Sequence, residues 1–250
     1  MFQKLRKSKK LLLVAMACAT FAIAGCGSDT TKNTADNSNA VTWSETFDGT
    51  KTDFAVKSSP THAVSMSQAT TEMMLQLGLE DKMAGTAFKE EEIYPPLQAA
   101  YDKVKVLSDK WPSYEVFMSV KPDFATGWPD SFSKRAIPAD KMIAQKVNIW
   151  LPESMLSTKA DLETNFNDMI KLGEIFGVKP KAEEWVASQR KTLEAIQAKL
   201  KDLPRKRVFI YDSEDGQPFT AFEGYTTNIL KLIGADNVMS GLGEIGRAHV

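Results

Sequence analysis

Residues Ala63 to Thr86, AVSMSQATTEMMLQLGLEDKMAGT, pack a strand, a turn, a helix and a second strand into one short stretch, which commits the chain to an α/β fold. Val64 and Met66 alternate with Ala63, Ser65 and Ser67, the period of a strand. Small and polar residues, Ser67, Gln68, Ala69 and Thr70, mark a turn leading into Thr71. Met73, Met74 and Leu77 then share a helical face, Gly78 suits the left-handed residue that ends a helix, and Lys82 to Thr86 is extended again. In an open parallel sheet, ligands collect where strands end and helices begin. Ser67, Gln68 and Thr70 are therefore candidate ligand contacts, with backbone N–H groups free to meet a polar or anionic group.

The chain begins with a targeting signal. Lys4, Arg6, Lys7, Lys9 and Lys10 precede an apolar run from Leu11 to Ile23 that is too short and wrongly flanked for a membrane span. Ile23, Ala24, Gly25 and Cys26 have the spacing of a bacterial lipobox, in which the cysteine thiol takes a diacylglyceryl group before cleavage. The expectation is a signal peptide over 1–25 and a mature protein anchored through lipid on Cys26 at the outer face of the cytoplasmic membrane, periplasmic or at the cell surface. Residues 26–40 are polar and small, too poor in apolar side chains to fold, and form a tether. Cys18 falls before the lipobox and Cys26 within it, so the rest of the chain has no thiol for a disulfide or a metal site.

Beyond the tether, Trp43 to Phe47 and Thr52 to Val56 flank Asp48-Gly49 as a hairpin. A second unit follows: a strand at Val104 to Leu107, a helix at Tyr114 to Val120 with Glu115 near its N-terminus, a strand at Asp123 to Thr126, and the turn Gly127-Trp128-Pro129. Val147 to Leu151 is another strand, and Lys159 to Phe176 a helix closed by Gly177. Between Pro180 and Pro204, Leu193, Ile196, Leu200 and Leu203 follow the spacing of one buried helical stripe, which predicts a connector between lobes. Arg207 to Tyr211 opens a second βα run, with a helix from Thr226 to Ile233 before Gly234. The expected organisation is an N-terminal α/β lobe over 41–179, a connector helix over 180–204 and part of a C-terminal lobe over 205–243.

AVSMSQATTEMMLQLGL, WPSYEVFMSVKPDFATGW and KRVFIYDSEDGQPFTAFEGYTTNILKLIGADNVMSG together resemble the substrate-binding proteins of ABC importers for iron-siderophores, haem and vitamin B12, from about Val41 to Gly243. The resemblance implies two Rossmann-like α/β lobes bridged by one long helix, with a ligand held in the cleft between them. It further implies a monomer that delivers its ligand to a permease and its ATPase, with Glu115 as a docking carboxylate on the first lobe.

Such a cleft captures rather than converts. Trp111 opens the second unit, and Trp128 and Trp150 follow strands, so the three indoles are expected as an aromatic rim faced by Tyr211, Phe219 and Tyr225. A flat or partly apolar metal chelate would stack on such rings. A ferric siderophore is the first expectation; a corrinoid, haem or another large cofactor-like ligand is the alternative, and a lipid-anchored adhesin without a small-molecule ligand is a third reading. Lys134 and Arg135 fit a solvated charge pair better than an anion contact.

No cofactor of the protein's own is expected. Bare metal ions call for several His and carboxylate ligands, and His62 and His249 are the only histidines. The eleven methionines follow helix faces as core residues. An enzyme is disfavoured by the lack of a Gly-x-Ser-x-Gly elbow and of a phosphate loop. Basic and acidic residues nearly balance, 31 against 32, which argues against a nucleic-acid partner.

The segment 244–250, EIGRAHV, has no counterpart in the resembling family, and apart from its first base its possible coding string GAGATCGGAAGAGCACACGTC looks like a sequencing adapter. The expectation is therefore a C-terminally truncated chain with a non-native tail and an incomplete second lobe.

Overall fold

The computed structural model describes residues 40–242 apart from 215–217 and 221–222, together with Gly246 and Arg247. The leader, Cys26, the tether up to residue 39 and most of the 244–250 segment lie outside the described residues.

The first element is an antiparallel hairpin, β1 (Val41–Phe47) and β2 (Thr50–Val56). Asp48 and Gly49 both take positive φ, 48° and 76°, the conformation that lets a two-residue turn follow the twist of its strands. Then come β3 (Ala63–Ser65), α1 (Gln68–Gln76), β4 (Met83–Ala87), α2 (Gln98–Tyr101), β5 (Val106–Ser108), α3 (Tyr114–Ser119), β6 (Phe124–Thr126), α4 (Ala139–Ala144), β7 (Asn148–Trp150) and α5 (Leu162–Ile175).

The five strands β3 to β7 form one parallel sheet in the order β5-β4-β3-β6-β7. Chain order reverses between β3 and β6, which makes the carboxyl ends of those two strands the topological switch point.

Both faces of the sheet are covered, as parallel sheets require. Ala63 and Phe124 point to one face with Met74, Leu77, Phe166 and Leu172, whereas Val64, Ala125 and Ile149 point to the other with Phe117 and Met142. The hairpin closes the β7 edge through side chains. Trp43 Nε1 donates to the Ile149 carbonyl at 2.8 Å, and the Glu45 carboxylate accepts the Leu151 N–H at 3.0 Å. These two residues are two apart on β1, so they reach edge groups two apart on the neighbouring chain.

The helix α6 (Lys179–Leu200) leads from α5 to the second lobe. Its first half packs on α5, with Ala182 against Gly173, where an added Cβ would lie 2.7 Å from the alanine Cβ. The expected buried stripe is only partly buried: Leu193 and Leu200 are half-covered, while Ile196 and Leu203 are 39% and 59% exposed. The helix's fully buried residues, Ala182 and Val186, both lie in its first half, where it packs on α5.

The second lobe comprises β8 (Lys206–Val208), β9 (Ser213–Glu214), β10 (Pro218–Thr220), α7 (Tyr225–Leu232), β11 (Ala235–Asn237) and β12 (Gly246–Arg247). β8 and β11 pair in parallel, and β10 lies between β9 and β12 in an antiparallel sheet. The fold is thus α/β with two lobes.

Candidate ligand-binding cleft

The peptide oxygen of Met66, just past β3, organises the switch point. It accepts the Trp111 Nε1–H and the Ser131 hydroxyl, each at 3.2 Å. Gly127, which follows β6, lies so close that an added Cβ would meet Met66 Cβ at 2.8 Å. That close approach carries the next residue, Trp128, past the sheet. Pro129 keeps Trp128 extended, at φ −64° and ψ 150°, so its indole projects beyond the strand ends.

Trp128 lines two adjoining cavities. One, about 460 Å³, is walled by Phe88, Glu90, Trp111 and Asp130. Phe88 stacks on Trp111 with ring centroids 4.6 Å apart and planes 20° apart, and it holds a positive φ of 59° to do so. Trp128 Nε1 points to the Glu90 carboxylate at 3.4 Å.

The other cavity, about 600 Å³, lies between Trp128, the 154–159 loop and the start of α7, including Tyr225 and Asn228. The 154–159 loop is pinned from below by Asp168 of α5, whose two carboxylate oxygens accept the N–H groups of Glu153 and Ser154 at 2.9 Å each. Burial raises the Asp168 carboxyl above its usual value despite these bonds. From the second lobe, Asn228 Nδ2 donates to the Ala160 carbonyl at 3.1 Å, and Gly224 comes close enough that a Cβ would lie 3.0 Å from the Thr158 oxygen. Burial, with the Asp168 charge second, raises the Tyr225 phenol.

The structure brings Trp111, Trp128 and Tyr225 to these cavities and places the other candidates elsewhere. Trp150 is 4% exposed and belongs to the core. It shares register with Thr126 and points to the same sheet face as Phe124, so the strand's alternation, not its end, decides its direction. Ser67 and Thr70 are fully buried. Ser67 is the N-cap of α1, and its hydroxyl meets Thr70 Oγ1 at 2.8 Å within a hydroxyl network that continues through Ser65, Thr71 and Thr86.

Two of the N–H groups expected to be free there are engaged: Gln68 N–H donates to the Phe88 carbonyl, and Thr70 N–H to Ser67 Oγ. The segment 67–70 is thus the capped first turn of α1 rather than an open anion cradle.

Gln68 acts at one remove. Its side-chain oxygen accepts the N–H groups of Glu90 and Glu91 at 2.9 and 2.7 Å, splinting the loop that carries Glu90. Tyr211, 58% exposed, and Phe219, half-buried on β10, are not among the residues lining the two cavities. Arg135 pairs with Asp130 at 2.6 Å in solvent. Phe88, Glu90, Asp130 and the 154–159 loop were missed by sequence reasoning. For Phe88 and Glu90 a signal existed, because they directly follow the strand MAGTA.

A cleft at the switch point of one α/β lobe, closed from the side by a second, defines a solute-binding protein. The chain belongs to the periplasmic binding protein family, which matches residues 64–249. Proteins of this family bind solutes for transport and are not enzymes, which makes the chain an extracytoplasmic substrate-binding component of an ABC transporter.

It is similar to a periplasmic binding protein of known structure from Veillonella parvula, with 94% identity and a TM-score of 0.82 over 83% of this chain and 70% of that one. It is 27% identical to the uncharacterized ABC transporter substrate-binding lipoprotein YvrC of Bacillus subtilis, over 92% of this chain and 73% of the relative. A vitamin B12-binding protein of Vibrio vulnificus is 25% identical over 71% of this chain and 61% of its own length. No helix among the described residues is long and apolar enough to cross a membrane.

Proposed function

We propose that the protein captures a metal chelate of the ferric-siderophore type outside the cytoplasmic membrane and passes it to a permease driven by an ATPase. The observation that carries this reading is Trp128, which lines both cavities, with the stacked Phe88–Trp111 pair beside it in one and Tyr225 in the other. That space suits a large, partly apolar ligand rather than a bare ion or a small sugar.

The charge of the cleft narrows the chelate. Glu90, Asp130, Glu223 and Lys159 line it, and Arg135 and Lys231 pair with Asp130 and Glu223, so among the described residues its charges nearly balance. Such a lining disfavours a polyanionic catecholate complex and favours an overall neutral one, such as ferric iron held by three hydroxamates. A corrinoid is the second reading, favoured by the likeness to the vitamin B12-binding protein. Intrinsic tryptophan fluorescence titration separates these readings. Saturable quenching by a ferric trihydroxamate, with a ferric triscatecholate inert, supports the first; a response to cobalamin alone supports the second; silence towards both, and towards haem, overturns chelate capture.

The same reading places a lipid on Cys26, supported by the Ile23-Ala24-Gly25-Cys26 spacing and by the lipoprotein relative. The protein then acts as a tethered monomer. It docks through the first lobe at Glu115, which stands exposed in the first turn of α3 beside Val116, 41% exposed. Mass spectrometry of the membrane fraction tests the anchor: a Cys26→Ser chain recovered still lipidated would refute it.

A further inference from the structure

A separate cavity of about 600 Å³ opens on the helical side of the first lobe, between α1, α5, α6 and the turn at Tyr94, and shares no lining residue with the ligand cleft. Two thioethers, Met73 and Met169, line it at 9% and 2% exposure. Tyr94, 55% exposed, and Trp185 are the aromatic residues that line it, and Trp185 is held edge-on against Phe166 at 6.1 Å. Among the described lining residues Glu72 alone carries a charge.

Its carboxylate is fixed rather than free to swing. Oε1 accepts Gln68 Nε2 at 2.9 Å and the Tyr94 N–H at 3.1 Å, which leaves Oε2 without a hydrogen bond among the described residues. No Lys, Arg or His side chain among the described residues forms an ion pair with Glu72. An immobilised half-buried carboxylate, two aromatic rings and polarisable sulfur together attract an ammonium group on an organic body.

We propose that this cavity is a second binding site, selective for a small organic cation such as an amine or a quaternary ammonium. The full chain is titrated by calorimetry with choline, agmatine and spermidine, and with acetate as the anionic counterpart. At least one cation should bind saturably and acetate should not. Glu72→Gln should weaken that binding about tenfold or more, because a charge-assisted contact is replaced by a neutral one. Glu184→Gln, an exposed carboxylate on α6 outside the cavity, should leave it unchanged.

If Glu72→Gln melts early, Trp185→Leu serves as the second variant: it retains the carboxylate, removes the ring and should also weaken binding. The proposal is overturned if no cation binds saturably up to about 10 mM, the limit of a useful affinity. Equal weakening by Glu72→Gln and Glu184→Gln would overturn it too, since that pattern marks general charge attraction.

Discussion

Glu45 and Leu151 are joined across the fold by a carboxylate that accepts a backbone N–H at 3.0 Å, although the glutamate is 6% exposed. Burial pushes this carboxyl from 4.5 up to about 7, with the neighbouring charges of Glu153 and Asp168 acting in the same direction and the Leu151 bond opposing them.

The folded protein therefore holds a proton that the unfolded chain gives up between pH 4.5 and about 7. Stability should be full below that window and fall as pH rises through it. At about 1.4 kcal/mol per pH unit of displacement, the loss is bounded at about 3 kcal/mol. The melting temperature should be higher at pH 5 than at pH 8, and Glu45→Gln should flatten the difference by raising the pH 8 value. An unchanged pH profile in that variant would place the proton elsewhere.

Trp128 and Trp150 should separate binding from folding. Trp128→Ala removes a ring at the cleft and should weaken binding of the proposed chelate about fivefold with little change in melting, as expected for a stacking contact of roughly 1 kcal/mol. Trp150→Ala empties a core position and should cost about 3–5 kcal/mol in denaturant unfolding. Equal effects of the two on stability would contradict their placement.

Gly224 should be intolerant of a side chain for two reasons that a control can divide. Its φ is 88° and a Cβ would press on the Thr158 oxygen at 3.0 Å, whereas Gly241 has a similar φ of 84° with open space around it. Both alanine variants should lose about 1–3 kcal/mol from backbone strain, and the ψ of −158° at Gly224 lies where essentially only glycine is found. Gly224→Ala should lose more and should also weaken ligand binding, because its Cβ would push α7 from the 154–159 loop. Identical titrations for the two variants would show that the clash is relieved elsewhere.

Glu115→Arg should leave chelate affinity intact and abolish uptake by cells that depend on this protein. Its own backbone N–H and the Ser113 hydroxyl hold the Glu115 carboxyl below its usual value, so the group is charged at any physiological pH. Normal uptake by the variant would remove Glu115 from docking.

The fold was more legible than the site. Period and turn chemistry located the hairpin, the strands before Ser67 and Trp128, and the helices α3, α5 and α7, because each is marked by local residues such as Asp48-Gly49 or Gly177. The short α4 has no such marks and was not foreseen; Pro138 at its N-cap makes no side-chain hydrogen bond. The site depends on direction as well as position. Trp128 and Trp150 both come at strand ends, yet one lies past a glycine and before a proline while the other is still within the pleat. Ser67 and Thr70 were found at the right junction with the wrong role, since a hydroxyl suited to an anion is equally suited to capping the helix. Phe88 reaches Trp111 only through a left-handed backbone, which its sequence context does not announce.

Because Trp111 and Ser131 both hang on the peptide oxygen of Met66, the wall of the cleft is assembled before any ligand arrives. Little freedom remains to be lost in that wall on capture, so the entropy of ordering side chains should be a small part of the binding free energy. For a protein that must later release its cargo, a preorganised wall shifts the control of affinity to the opposite lobe, where separating α7 from the 154–159 loop would open the cleft without disturbing the indoles.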